Sequence, residues 1–336
     1  MNDEFYMNLA IDEAWKYQFL TYPNPAVGCL ILSKNGEILS CEAHQKAGMP
    51  HAELNAVISA LQRLNPNLKA VFKTAKNANE LYALALQNHA NLLSGARAYV
   101  SLEPCSHHGK TPPCANLLKE LGFAKVIIAT KDVSEHAKGG EQVLNVAGIS
   151  TQIGVCKDRA DELLEPFWAW SNGNFSFFKI ALTQNGVASG GIISNHASRT
   201  HTHAIRSLVS LLVIGGNTVR TDRPTLDTRL INGGKNPDVL IYSNETKFDT
   251  SIPLFSIKDR KVTISNSLEA AFERHFVMFE GGGNALSNLD KRVKWLLIYR
   301  SNEFKDAKNI SLNLKIKIMH RAEFDDNELL WCKIIN

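Results

Sequence analysis

Ser101-Leu-Glu-Pro-Cys105-Ser-His-His-Gly-Lys-Thr-Pro-Pro-Cys114 is the stretch on which the fold and the chemistry of this chain turn. It continues a strand-forming run, Ala98-Tyr-Val-Ser-Leu, and ends by opening a helix at Cys114 that Gly122 closes. Upstream, His51-Ala-Glu53 begins another helix that runs to about Leu64. One imidazole and two thiolates leave the fourth tetrahedral position of a zinc ion open to water, which separates a catalytic site from a structural one. Such a metal lowers the pKa of its water towards about 7. Glu53, two residues after the histidine, can lie beside that water without ligating the metal and pass its proton to a leaving amine. His-x-Glu followed by Pro-Cys is a zinc-deaminase signature. His51, Cys105 and Cys114 are therefore the expected ligands and Glu53 the expected acid–base. The start of a helix also favours the Cys114 thiolate. The gap between the cysteines departs from the usual short Cys-x-x-Cys. A structural zinc site completed by His107 or His108 stays open as the alternative, and it would have no use for Glu53.

Outward from this centre the pattern is α/β. Apolar residues at helical spacing over Asp3–Phe19 predict an opening helix, and Tyr22-Pro-Asn-Pro breaks it. The run Val27–Leu32, the turn Lys34-Asn-Gly-Glu and Ile38–Cys41 predict a β-hairpin. Residues 65–95 look like an inserted helical hairpin between the first ligand and the other two, with no chemistry of its own. Ala124–Ala129 and Ile149–Val155 are further strands, followed by a charged helix, Lys157–Phe167. The aromatic-rich stretch 167–175 reads as the junction with a second α/β pattern. There, strands are expected at Leu211–Ile214, Asp238–Tyr242, Phe276–Phe279 and Val293–Tyr299. Two antiparallel strands close the chain, Leu312–His320 and Leu329–Ile335.

At 336 residues, with 44% apolar and 21% charged side chains, the chain exceeds one ordinary core and reads as two soluble domains. Six cysteines are too few for a disulfide framework at this length and suit a reducing compartment. The start of the sequence lacks the basic, apolar pattern of a signal peptide, and no run approaches the roughly 20 apolar residues of a membrane span. A cytoplasmic protein is expected. A net charge of +4 spread along the chain argues against a deaminase that edits nucleic acid, which needs a basic, aromatic-studded surface.

Three stretches carry a resemblance to a known family: Asn24-Pro-Ala-Val-Gly-Cys, His44-Gln-Lys-Ala-Gly-Met-Pro-His51-Ala-Glu53, and the stretch from Ser101 to Cys114. Together they resemble the bifunctional deaminase/reductases of riboflavin biosynthesis, whose own version of the motif has the long spacer SHHGKTPP. The resemblance implies a cytidine-deaminase-like α/β/α domain at 1–147 and a dihydrofolate-reductase-like α/β domain at 148–336. It implies zinc and NADPH as cofactors and a phosphoribosylaminopyrimidine as substrate. In the first domain it places Asn24, His44, His107, His108, Lys110 and Thr111 around the pyrimidine. After Asp132 the chain leaves the family's Asn-Pro-rich loop for Val133-Ser-Glu-His-Ala-Lys-Gly-Gly. Self-association is a family habit carried over as an expectation only.

In the second half, strands running into Gly215-Gly216 and Gly281-Gly-Gly let backbone approach a ligand. By the resemblance, Ala181, Thr218, Asp222, Ser243, Gly282, Gly283 and Asn284 would contact NADPH. Arg206, Leu226, Arg229 and Glu280 would contact the substrate, the two guanidinium forks being suited to phosphate. Two departures stand here. Gly190 and Ile192 occupy a shortened loop where the family commonly has Ser and Trp, and RSNEFKDAKNIS replaces a longer segment after Tyr299. A deaminase with a drifted reductase is the alternative they leave open.

Overall fold

The apolar spacing near the start produces α1 (Asp3–Trp15), which buries Met7, Ala10, Ile11, Ala14 and Trp15. Asn2 caps it by accepting from the Phe5 N–H at 3.1 Å. The helix crosses β1 (Gly28–Leu32) so closely that a Cβ on Gly28 would lie 1.8 Å from the Ala10 carbonyl oxygen. Only glycine fits there. The computed structural model describes residues 2–109, 111–133 and 139–335.

β1 and β2 (Ile38–Ala43) form the expected antiparallel hairpin. β3 (Arg97–Leu102) pairs antiparallel with β1, and β4 (Lys125–Thr130) and β5 (Ser150–Ile153) add on in parallel. The sheet order is β2-β1-β3-β4-β5. Val126–Ala129 are fully buried, the continuous apolar run of a strand covered on both faces. The helices of this half are α2 (Ala52–Leu64), α3 (Leu68–Phe72), α4 (Ala78–Asn88), α5 (Cys114–Glu120) and α6 (Gly140–Val146). The inserted pair α3 and α4 packs through α4 onto α2 and α5.

The two compact units are Met1–Phe167 and Trp168–Asn336, so the division falls twenty residues after the expected 147/148. β5 completes the first sheet beside β4, and Gln18 donates to the carbonyl of Leu163 at 2.5 Å. Both tie 150–163 to the first unit. The helix α7 (Lys157–Asn172) carries the chain across the division, within the aromatic-rich stretch read as the junction.

The second unit holds an eight-stranded sheet in the order β12-β13-β11-β6-β10-β7-β8-β9. Its strands are β6 (Phe175–Leu182), β7 (Leu211–Gly215), β8 (Asp238–Tyr242), β9 (Val262–Ser265), β10 (Phe276–Glu280), β11 (Trp295–Arg300), β12 (Ile316–Phe324) and β13 (Asn327–Ile334). All neighbours are parallel except β11–β13 and β12–β13. Helices α8 (His196–Arg206), α9 (Gly216–Asp222), α10 (Glu269–Phe272) and α11 (Gly283–Ser287) connect them. Neither β9 nor α10 was expected: each spans four residues, and β9 lies at the sheet edge with no buried side chain to mark it. No helix among the described residues is long and apolar enough to cross a membrane.

Candidate active sites

In an open parallel sheet, ligands bind beyond the C-terminal ends of the strands. β3 leads directly into Glu103-Pro104-Cys105, and β4 into Asp132. His51 is the N-cap residue of α2, which puts Glu53 in its first turn, and Cys114 is the first residue of α5. The ligand atoms of His51, Cys105 and Cys114 lie within 4.8 Å of one another. The His51 ring turns Nδ1 towards both sulfurs, 3.7 Å from Cys105 Sγ and 3.6 Å from Cys114 Sγ. Zinc–sulfur and zinc–nitrogen bonds of about 2.3 and 2.0–2.1 Å, meeting at a tetrahedral angle, separate N and S by about 3.6 Å. The donor set therefore fits zinc without rearrangement. Nε2 of His51 faces the Thr111 hydroxyl at 3.1 Å, the outer hydrogen bond that fixes a ligating ring. Among the described residues no fourth protein ligand joins these three, and neither His107 nor His108 belongs to the cluster.

Glu53 is 3% exposed. Burial, reinforced by the Cys105 sulfur, pushes its carboxyl up to about 7. Within the cysteine pair, hydrogen bonds from the Cys114 thiol and from His51 hold Cys105 low, the nucleophilic and ligating form.

A cavity of about 380 Å³ opens over this centre and is lined by Asn24, His44, Glu53, His107 and Thr111 among others. Burial holds His44 down to about 4, so it is neutral. Its Nδ1 lies 2.9 Å from the Pro50 carbonyl, which can only accept, so Nδ1 carries the proton. Nε2 then accepts from the Asn24 side-chain amide at 3.1 Å. His107 lines the cavity from an exposed position. His108 does not line it; its Nδ1 meets the carbonyl of Gly109, which does, at 3.2 Å. Lys110 lies outside the described residues.

Sequence reasoning passed over Glu103. This buried carboxylate accepts from the N–H groups of Asp132 (3.2 Å), Gly139 (3.1 Å) and Glu141 (2.9 Å). It thereby docks the start of α6 against Pro104, where a Cβ on Gly140 would lie 1.8 Å from the Pro104 carbonyl oxygen. Gly140→Ala is accordingly expected to displace Cys105 and lower the zinc content of purified protein at least severalfold. Full zinc occupancy in that variant would show that the contact does not govern the ligand.

In the second unit a groove of about 400 Å³ is lined by Ala181, Arg206, Thr218, Asp222, Leu226, Arg229, Glu280 and Gly282, all expected, and by Lys179, His203 and Asp227, which were not. A second compartment of about 730 Å³ shares Thr218, Asp222 and Gly282 and adds Gly283 and Asn284. Ser243 lines neither. It packs against Gly216, where an added Cβ would lie 2.7 Å from it.

Glu280 pairs with Lys179 at 3.0 Å and with Arg206 at 2.9 Å. Burial alone would raise its carboxyl, but the two cations outweigh it and hold the group down to about 2. Arg206 is thus not a free phosphate fork. Its other terminal nitrogen donates to the Asp227 carbonyl at 2.7 Å, and its side chain is 7% exposed. Arg229, more than half exposed and paired with Asp227 through one terminal nitrogen (2.7 Å), is a guanidinium on the groove with room for an incoming anion. Leu226 adopts φ +55°, a left-handed conformation that a bulky residue keeps only under constraint. Arg260 supplies it, donating to the carbonyls of Thr225 (2.8 Å), Leu226 and Pro237 (3.0 Å).

Residues 1–130 match the family described as the cytidine and deoxycytidylate deaminase zinc-binding region. The riboflavin biosynthesis protein RibD of Actinobacillus pleuropneumoniae is 32% identical over 281 residues, 80% of this chain and 66% of that protein. RibD of Aquifex aeolicus is 29% identical over 309 residues, 88% and 78% of the two chains. The chain belongs to the RibD family. The match to RibD of Escherichia coli, 33% over 237 residues, takes in 68% of this chain and little more than half, 56%, of that protein. The crystal structure of a RibD-type deaminase/reductase from Thermotoga maritima superposes over 99% of both chains with a TM-score of 0.62 at 24% identity. The RibD fold, a cytidine-deaminase-like unit followed by a reductase-type α/β unit, is therefore the architecture expected from the sequence.

Proposed function

We propose that this chain carries out two consecutive steps of riboflavin biosynthesis. The first is zinc-dependent hydrolytic deamination of 2,5-diamino-6-(5-phosphoribosylamino)pyrimidin-4(3H)-one to 5-amino-6-(5-phosphoribosylamino)uracil. The second is NADPH-dependent reduction of the ribosyl group to ribityl. The observation that carries it is the His51, Cys105, Cys114 triangle at zinc spacing with buried Glu53 in the same cavity.

When bound, zinc supplies Lewis-acid activation of water. His51, Cys105 and Cys114 would hold it, and Thr111 would keep the His51 ring oriented. Glu53 takes a proton from the attacking water and delivers it to the ring 2-amino group, which leaves as ammonia. Burial keeps both of its protonation states within reach near neutrality, as a proton carrier requires. Asn24, oriented by neutral His44, would hold the pyrimidine edge. In the second unit NADPH, when bound, supplies hydride. Glu280 with Lys179 and Arg206 presents a fixed charged floor to the sugar, Arg229 meets the phosphate, and Arg260 keeps the Leu226 turn in place. The substrate is a small molecule; nucleic acid is not a partner in this proposal, and the setting is cytoplasmic.

Followed together, ammonia release and NADPH consumption test both halves. The protein is expected to release ammonia from the diaminopyrimidine and to oxidise NADPH only once the deaminated product has formed. Cys105→Ala is expected to lose zinc and ammonia release while still oxidising NADPH with the deaminated product. No oxidation by the unaltered protein with authentic product would reduce the second unit to a scaffold and favour a deaminase acting alone.

A further inference from the structure

The two departures from the family pattern in the second unit hold one another. Asn185 Nδ2 donates to the Lys305 carbonyl at 2.7 Å, and the Lys305 N–H returns a bond to Asn185 Oδ1 at 3.2 Å. The Gln184 N–H donates to the Glu303 carbonyl (2.9 Å) and the Ile310 N–H to the Gly186 carbonyl (2.8 Å). From the same strap, Lys305 Nζ reaches the carbonyls of Gly190 (3.3 Å) and Ile192 (3.4 Å) in the other shortened loop. At its far end Ile310 presses on Gly283, where an added Cβ would lie 2.4 Å from Ile310 Cγ2. The short segment 301–311 is therefore a docked part of the unit, fixed at both ends.

This docking makes the strap a wall of the larger compartment, which Lys308, Asn309, Ile310 and Ser311 line together with Gly282–Asn284. The charged floor of Lys179, Glu280 and Arg206 belongs to the other compartment, where the sugar must react. The residues the two compartments share give a dinucleotide with its nicotinamide at that floor a passage into the strap compartment. Backbone at Gly191 and Gly282 is what the shared passage offers a pyrophosphate. Beyond it, the charged residues lining the strap compartment are Asp222 and Lys308, and Asp222 already belongs to the shared passage. Lys308 is an exposed ammonium on a flexible stem, the point-charge type of phosphate partner.

Resting on the reading of the second unit as a nicotinamide-dependent reductase, we propose that strap 301–311 seats the adenosine end of the cofactor. Lys308 is the specificity-determining residue for the 2′-phosphate of NADPH, and Asn185 is the positioning residue that holds the strap against its loop. The shortened segments are then a compact cofactor seat in place of a longer one.

Titration calorimetry of NADPH and NADH against the full chain separates these assignments. The unaltered protein is expected to prefer NADPH by about tenfold or more, the worth of one charge-assisted contact. Lys308→Gln, a change at an exposed position, should erase most of that preference by weakening NADPH while NADH shifts less than twofold. Lys308→Glu should reverse it. Asn185→Ala should weaken both nucleotides by a similar factor and leave their ratio intact, with ammonia release unchanged as the check on the rest of the chain. An unaltered NADPH to NADH ratio in Lys308→Gln would overturn the specificity assignment, and unaltered affinities in Asn185→Ala would overturn the role of the strap. If the unaltered protein binds neither nucleotide, the reductase reading itself fails, and that result is distinct from the other two.

Discussion

Glu53→Gln is expected to keep the fold and the zinc while lowering ammonia release by about 10²–10⁴-fold, the usual worth of a positioned acid–base. The amide has the shape of the carboxyl and none of its capacity to exchange a proton at neutral pH. Glu53 lies in the first turn of α2, so its place follows from His51 and the helix geometry, and neither is altered by the change. Its one hydrogen bond to a ligand is with the Cys114 thiol, which a bound metal would remove. Metal analysis beside a coupled ammonia assay decides the matter. Full zinc with little ammonia supports the proton-carrier role; loss of zinc would make Glu53 a ligand and sink the mechanism.

Replacing Glu280 with Gln should have the largest effect in the second unit. The carboxylate is buried between Lys179 and Arg206, and removing it leaves two cations facing one another with no anion. Breaking a buried pair in this way costs about 3–5 kcal/mol, and NADPH oxidation is expected to fall below detection. The effect should depend on pH in one direction. The Glu280 carboxyl sits at about 2 against an ordinary value of 4.5, so its stabilisation is complete above about 4.5 and drains away as pH falls towards 2. The depression corresponds to roughly 3 kcal/mol. Four of the five tryptophans, Trp168, Trp170, Trp295 and Trp331, belong to the second unit, so urea unfolding followed by tryptophan fluorescence reports mainly on it. The gap in stability between the unaltered protein and Glu280→Gln should narrow between pH 6 and pH 3. A gap that stays constant would mean that Glu280 is not ionised against its two partners.

What the sequence revealed and what it hid divide along physical lines. The metal triangle was legible because each ligand is fixed by a local signal: a helix start after His51, a strand end before Cys105, a helix start at Cys114. Glu103 lies within the same quoted stretch, yet its partners are N–H groups about thirty or more residues away, and nothing local announces them. Lys179 was a missed signal of another kind. A lysine inside the apolar run Phe175–Leu182 needs an anion, and Glu280 stands directly across from it on β10. Register between distant parallel strands is set by the tertiary fold and cannot be read along the chain. Arg206, carried as a substrate contact by the resemblance, lines the groove already paired with the same Glu280. The junction expected at 167–175 lies where α7 passes between the units, whereas the 147/148 boundary cuts β5 from the sheet it completes.

The carboxylate of Glu103 grips residue 132 on one side and residues 139 and 141 on the other, next to a metal ligand. One carboxylate thus fastens residue 132 and the start of α6 to the residues that lead into Cys105. Loosening of the α6 start and loosening of the metal ligand should therefore go together.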